Sequence, residues 1–199
     1  MPAPTIYYIR HGETSWNAEG RLQGVQDIPL NALGRQQAAK AGGILRQLFA
    51  NDDREASSLN FIASPLGRAR STMDLVREVL ALPPGGYALD DRLREIGYGR
   101  WEGSTLAEMQ VQDPELFAMR QTEKWTMSPP GGETYAQVQV RMQDWYNSLT
   151  SDTVAVAHGG TARALMVALG FETPLSAADL TIEQGAVYVF GGGGLRKYS

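Results

Sequence analysis

The sequence predicts an α/β fold built on a largely parallel sheet, and three observations carry that prediction. Short runs of β-branched and aromatic residues, Ile6–Ile9, Phe61–Ala63 and Val154–Ala157, alternate with stretches of helical periodicity. The 199 residues are 43% hydrophobic, enough for one sizeable core in a single domain over residues 1–199. There is no cysteine, so neither disulfides nor thiolate metal sites hold the chain together.

Taken in order, Ile6–Ile9 reads as a buried strand. Asn31 to Phe49 reads as a helix with Ala38, Ala41, Leu45, Leu48 and Phe49 on one face. Gly42–Gly43 inside it costs about 1 kcal/mol per glycine relative to alanine, which close packing on the sheet is expected to offset. Phe61–Ala63 is the second strand. Ser64 and Pro65 then read as N-cap and first residue of a helix whose face continues through Ala69, Met73, Val76 and Leu80. Residues 84–133 look irregular, with short helices near 105–111 and 114–121. Thr134 and Gln137 form a capping box opening a helix with Tyr135, Val138, Met142, Trp145 and Leu149 on one stripe. Val154–Ala157 is the third strand, and Ala162–Leu169 a helix closed by Gly170. Ala186–Phe190 and Leu195–Tyr198 read as strands joined by a hairpin turn over Gly191–Gly194, a tract with no Lys-Ser/Thr after it and therefore no phosphate loop.

The formal charge of −4 argues against a general nucleic-acid binder. No apolar run approaches the ~20 residues that span a bilayer, and the start of the chain lacks the pattern of a signal peptide. A cytoplasmic protein without nucleic-acid or membrane partners is expected; homo-oligomerisation stays open. Lys40, Lys124 and Lys197 are the only lysines, so the other basic residues are arginines, which make the planar bidentate contacts that suit phosphate or carboxylate.

The chain has two histidines, and each follows a strand and precedes glycine: His11-Gly12 and His158-Gly159. Ligands of open α/β sheets bind beyond the carboxyl ends of strands. Matched placement of both histidines therefore points to a site, with the glycines letting backbone approach a ligand. Arg68 falls in the first turn of a predicted helix, where the macrodipole disfavours a cation by roughly 0.3–1 kcal/mol. It is either a surface arginine paired with Asp74 or Glu78, or a ligand for an anion; the anion is favoured. Glu95, set among glycines and aromatics, is a general acid or an ordinary loop carboxylate.

Arg10-His11-Gly12-Glu13-Thr14, followed by Trp16-Asn17, Arg21, Gln23-Gly24, Asp27, Pro29-Leu30 and Gly34, closely resembles the opening of the histidine phosphatase superfamily, also called phosphoglycerate mutase-like. The resemblance continues in Ser64, Leu66, Arg68, Ala69 and Thr72, in Leu93, Glu95, Gly99 and Trp101-Glu102-Gly103, and in Val156-Ala157-His158-Gly159, spanning residues 6–163 in the family's order. It implies a three-layer αβα sandwich with a mostly parallel central sheet. It also implies that His11 attacks a phosphoryl group and becomes phosphohistidine while Arg10, Arg68 and His158 surround the equatorial oxygens. Such a ring of donors suits phosphoryl transfer, which is mostly positioning and charge stabilisation. Asn17, Gln23 and Gly24 match further phosphate contacts, although Asn17 also suits a turn or cap. Glu95 matches the general acid that later activates water. His11 must be neutral to attack, and Arg10 and Arg68 nearby disfavour its protonation. No metal or other cofactor is implied.

The resemblance covers phosphatases and cofactor-dependent mutases. Mutase members carry extra Lys and Arg after the Glu-bearing segment, including an Arg pair; here residues 104–121 offer Arg120 against Glu108, Asp113 and Glu115. Gly160 stands where mutases usually have Asn, and Pro129–Glu133 resembles phosphatase members. Tyr98 matches a mutase substrate contact. The expectation is a phosphatase acting on a small phosphate ester. The alternative is a phosphoglycerate mutase, with 2,3-bisphosphoglycerate as its cofactor. Glu133 faces the site or serves as a helix N-terminal acid, and the 121–133 loop, with Trp125 and Tyr135 flanking its Pro129–Glu133 part, is expected to form part of a lid. A catalytically inert binding protein and a metallohydrolase built on His11 and His158 are the readings from other classes.

Overall fold

The computed structural model describes residues 3–199. The first half runs β1 (Ile6–Arg10), a one-turn α1 (Ser15–Ala18), α2 (Ala32–Asn51), β2 (Asn60–Ala63), α3 (Gly67–Val79) and a two-residue β3 (Ala88–Leu89). The second runs α4 (Leu106–Gln112), α5 (Pro114–Thr122), α6 (Tyr135–Asn147), β4 (Thr153–Ala157), α7 (Gly159–Ala168), α8 (Pro174–Ala178), β5 (Val187–Gly191) and β6 (Gly194–Tyr198).

The strands form a six-stranded sheet in the order β3-β2-β4-β1-β5-β6. The first four are mutually parallel, and the β5–β6 hairpin adds two antiparallel pairings at one edge. Its turn places Gly192 and Gly193 at φ 58° and 75°, the left-handed pair that a tight two-residue hairpin requires. Alternate residues of each strand feed two cores. Tyr7, Ile9, Val154 and Val156 pack with Ala41, Leu45 and Phe49 of α2 and Ala69, Met73 and Val76 of α3. Ile6, Tyr8, Ala155 and Ala157 pack with Val138, Met142 and Trp145 of α6 and Leu165 and Met166 of α7. The result is a three-layer αβα sandwich, with residues 93–127 extending the second helical layer over one end of the sheet.

Local signals account for most helix boundaries. The Asn31 side chain accepts from Gly34 N at 2.8 Å and starts α2. Thr134 and Gln137 exchange the two bonds of a capping box at α6. Three expectations fail, for tertiary reasons. Helix α3 begins at Gly67 with Leu66 as an uncapped N-cap, because the Ser64 hydroxyl is bonded to the His158 ring instead. Helix α7 begins at Gly159, three residues before the expected start: the poor propensity of Gly159-Gly160 is overridden by the Glu95 carboxylate, which accepts from Gly160 N. Gly42 does not pack on the sheet; a Cβ there would lie 2.8 Å from Val79 Cβ and 3.1 Å from Val76 O of α3, while one on Gly43 would meet nothing within 4 Å. α1, β3 and α8 were not expected, being too short to show a period.

Candidate active site

Because β1 and β4 pair in parallel with Arg10 opposite Ala157, the residues that follow them come out side by side. His11 N donates to Ala157 O at 2.9 Å, and Ser64 N, at the end of β2, to Val156 O at 2.9 Å. His11 and His158, remote in sequence, end with ring centroids 5.1 Å apart. Both are buried.

His11 Nδ1 lies 2.7 Å from Gly12 O and takes the donor role there, so Nε2 carries the lone pair. That nitrogen is 3.3 Å from Arg68 Nε. Burial first, then the charges of Arg68 and Arg10, hold the His11 pKa well below its ordinary value, and the ring is neutral. Gly12 lacks a side chain for a reason internal to the fold: a Cβ would sit 2.1 Å from Gly34 O, where the chain crosses the first turn of α2.

His158 Nε2 is 2.7 Å from Ser64 Oγ. The residue's backbone is fixed by the buried Tyr8 hydroxyl, which donates to His158 O at 2.8 Å and accepts from His158 N at 3.1 Å. Burial, with Arg68, His11, Arg141 and Arg10 behind it, holds this pKa well below its ordinary value too. The expected ring of cations is thus two guanidiniums and a neutral imidazole. Ser64 is a support for His158 rather than a helix cap.

Arg68 is fully buried, so pairing with Asp74 or Glu78 at the surface is excluded. Its Nη2 donates to Gly24 O at 2.8 Å and its Nη1 to Gln26 O. Arg10 Nη1 donates to Ile182 O at 2.7 Å. Burial lowers the pKa of both guanidiniums, and Glu95 opposes it in each. Glu95 is held on the first turn of α7: Gly160 N donates to Oε1 and Oε2 at 3.0 and 3.2 Å, and Ile96 N to Oε1 at 2.9 Å. This is the favourable end of the helix dipole for a carboxylate.

Among the described residues, four buried side-chain atoms lack a hydrogen-bond partner: Arg10 Nε, Gln23 Oε1, His158 Nδ1 and Trp145 Nε1. Three belong to residues expected in the site. Buried polar groups are otherwise paired, so the concentration is informative. Gly159 lies against Arg10, where a Cβ would be 3.4 Å from Nε. Asn17 serves as part of the α1 capping box, and its Oδ1 accepts from Thr14 N at 3.2 Å and Gln184 Nε2 at 3.1 Å. Tyr98 is buried with Arg120 Cζ 6.0 Å from its ring centre. Burial pushes its phenol pKa well up, Tyr135 and Glu95 add to that, and Arg120 and Arg163 oppose it.

The 121–133 segment is a packed wall rather than a lid. Trp125 and Tyr135 stack at 5.0 Å inside the core, Glu133 N donates to Gly97 O at 2.8 Å, and Arg100 N to Pro130 O at 3.0 Å. Glu133 neither faces the site nor serves the dipole of α6. Its carboxylate accepts from Gly97 N at 2.9 Å and pairs with Arg141 at 3.2 Å. Arg163, three residues after Gly160, donates to Leu180 O at 2.8 Å and to the Tyr135 hydroxyl at 3.1 Å. Counting charge along residues 104–121 missed it, because its partners come from other elements. Among the described residues no three His, Asp or Glu side chains come together as a metal-ligand set.

The family model of the histidine phosphatase superfamily (branch 1) matches residues 6–195. The chain is 34% identical over 183 residues to the glucosyl-3-phosphoglycerate phosphatase of Mycolicibacterium vanbaalenii, covering 85% of this chain and 75% of that one. It is 34% identical over 139 residues to a probable phosphoglycerate mutase, GpmB, of Salmonella paratyphi C, covering 69% of this chain and 59% of that one. The solved structure of mycobacterial glucosyl-3-phosphoglycerate phosphatase Rv2419c with VO3 superposes with a TM-score of 0.79 at 29% identity, over 98% of this chain and 96% of that one. With the matched model running from β1 into β6, through both histidines, Arg68 and Glu95, the chain belongs to the histidine phosphatase superfamily.

Proposed function

We propose that this chain hydrolyses phosphate monoesters of small metabolites in two steps through a phosphohistidine at His11, without a metal or other cofactor. The observation that carries the reading is the state of His11: a buried, neutral imidazole with Nδ1 engaged by Gly12 O and the Nε2 lone pair set beside a guanidinium. In the first step Nε2 forms a bond to phosphorus as the ester P–O bond breaks, and Glu95 gives its proton to the departing oxygen. In the second, Glu95 takes a proton from water, whose oxygen bonds to phosphorus as the N–P bond breaks, and inorganic phosphate leaves.

Arg10 and Arg68 supply charge for the equatorial oxygens, the role a metal ion has in other phosphotransferases. Leu66 N donates to Ser64 Oγ at 3.4 Å, which directs the serine hydroxyl proton to His158 Nε2 and leaves Nδ1–H as a further donor. Gln23, with its amide turned to present N–H, the backbone N–H groups of Gly24 and Gly159, and Asn17 complete the phosphate contacts in this reading. Tyr98 lines the leaving-group side. The phosphatases among the similar proteins support hydrolysis. A cytoplasmic location accords with a metabolite substrate.

Arg120 and Arg163, both close to Tyr98, favour one second reading, a phosphoglycerate mutase using 2,3-bisphosphoglycerate. Incubation with 3-phosphoglycerate and a trace of the bisphosphate, following inorganic phosphate and 2-phosphoglycerate together, separates the two. Phosphate release should greatly outpace isomerisation and be undiminished by chelator. Rapid isomerisation with negligible phosphate overturns the hydrolase reading, and activity lost in chelator and restored by zinc or magnesium overturns the metal-free one.

A further inference from the structure

We propose that Glu102 is a positioning residue of the phosphoryl site, acting through the 23–26 loop on Arg68; this rests on the phosphatase reading above. Glu102 carries no chemistry of its own, since both its oxygens are engaged. Oε1 accepts from Val25 N and Tyr98 N, each at 3.1 Å, and Oε2 from Gln26 Nε2 at 3.0 Å. The loop is shaped around this carboxylate: Gly24 sits at φ +53°, and a Cβ there would lie 2.0 Å from Glu102 Oε1.

While its N–H side is held by Glu102, the loop presents its carbonyls to Arg68. Gly24 O and Gln26 O accept from the two Nη atoms, and the same guanidinium places Nε 3.3 Å from the His11 nucleophile. Among the described residues Arg68 makes no ion pair with a carboxylate. A buried cation without a counter-carboxylate depends on its carbonyl acceptors for orientation as well as for stability. The loop's own backbone offers little rigidity; a single internal bond, Gln26 N to Gln23 O at 3.0 Å, closes it. Glu102 also ties this loop to Tyr98, three residues after Glu95. It therefore sets the separation of the two walls of the site.

The test is a double-mutant cycle with p-nitrophenyl phosphate as substrate and orthovanadate as the probe of the phosphoryl site. Displacing a catalytic group by about 1 Å costs on the order of 10²-fold, so Glu102→Ala should lose roughly that in kcat/KM, chiefly in kcat, with vanadate inhibition weakened in parallel. In an Arg68→Ala background the same substitution should cost little, because the group it positions is gone. Glu102→Gln keeps an acceptor for Val25 N and Tyr98 N, and Gln26 can rotate its amide to meet it, so this variant should restore most of the activity. Glu102→Asp, which retains charge but withdraws the oxygens by one methylene, gives the same non-additivity at smaller amplitude and serves if the alanine variant does not fold. Additive losses, wild-type kinetics in Glu102→Ala, or a Glu102→Gln no better than alanine each overturn the proposal. Full activity in His11→Ala or Arg68→Ala overturns it together with the phosphatase reading, and is distinguished by appearing in those single variants.

Discussion

Glu95→Gln separates the proton-transfer role of this side chain from its place in the fold. The carboxylate is held by two N–H bonds to Oε1, at 2.9 and 3.0 Å, and one longer bond to Oε2 at 3.2 Å. A glutamine with its carbonyl oxygen at the Oε1 position keeps the two shorter bonds. What it loses in the ground state is the longest contact, made by an N–H that keeps its bond to Oε1 and so worth about 1.5 kcal/mol, the low end for a charged acceptor, or roughly tenfold. Loss of general acid–base catalysis is larger, typically ~10²–10⁴-fold, equivalent to about 2.7–5.5 kcal/mol. The two effects part company when the leaving group is varied. An alkyl phosphate needs its departing oxygen protonated, so Glu95→Gln should show the full loss in the first step. p-Nitrophenyl phosphate has a leaving group stable without protonation, so that step should lose only the small structural factor. Water activation in the second step still needs the carboxylate. A rapid-quench or stopped-flow experiment should therefore show a stoichiometric burst of p-nitrophenol followed by a stall, with phosphoenzyme accumulating. Equal losses on both substrates and no burst would refute the assignment. Glu102 and Glu133 are poor replacements, because their oxygens are bonded to backbone N–H groups and to Gln26 or Arg141. Glu13, which accepts from Asn31 Nδ2 at 2.7 Å, would then be the next carboxylate to test.

Four further outcomes are expected. Acid-labile, base-stable label from a labelled substrate should map to the His11 peptide and vanish in His11→Ala; label on another peptide contradicts the nucleophile assignment. Because burial, Arg68 and Arg10 depress the His11 pKa, kcat/KM should stay level as the pH falls through the ordinary histidine value of 6.5 and decline only well below it, and Arg68→Met should move that acid limb upward. The same shift makes His11 and His158 cost stability in acid: stability is full above 6.5 and falls as the pH drops toward the folded-state values, since only the unfolded chain gains those protons; a flat acid stability profile would contradict this. Gly42→Ala and Gly43→Ala should move the melting temperature in opposite directions. The first forces a Cβ to 2.8 Å from Val79 Cβ. Overpacking of that kind costs about 1–3 kcal/mol against a helix-propensity gain of about 1. The second has open space and keeps the whole gain, worth roughly 2–4 °C in a chain of this size.

The order of strands and helices was legible from the sequence because the signals that set it are local. The apolar runs of β1, β2 and β4, the apolar face of α2 and the capping box at Thr134 depend on neighbours close in the chain. The positions of His11 and His158 at strand ends, with Arg68 and Glu95 in family motifs, were legible for the same reason. What the linear order does not contain is which strands lie side by side. The pairing of β1 with β4 brings His11 to His158, and it is decided by both cores closing at once. Ser64 looked like a cap because nothing local reveals that His158 ends within 2.7 Å of its hydroxyl. Gly42 looked like a contact with the sheet, but the partner is α3, chosen by the packing of two helices on one face. Arg163, Glu133 and Glu102 were silent or misread because each is bonded to a segment of another part of the chain, to Leu180 and Tyr135, to Gly97, and to Val25 and Gln26. Short-range hydrogen bonds and periodicity determine elements before the chain folds. The partners of buried charges exist only once separate loops have been brought together over the ends of the strands.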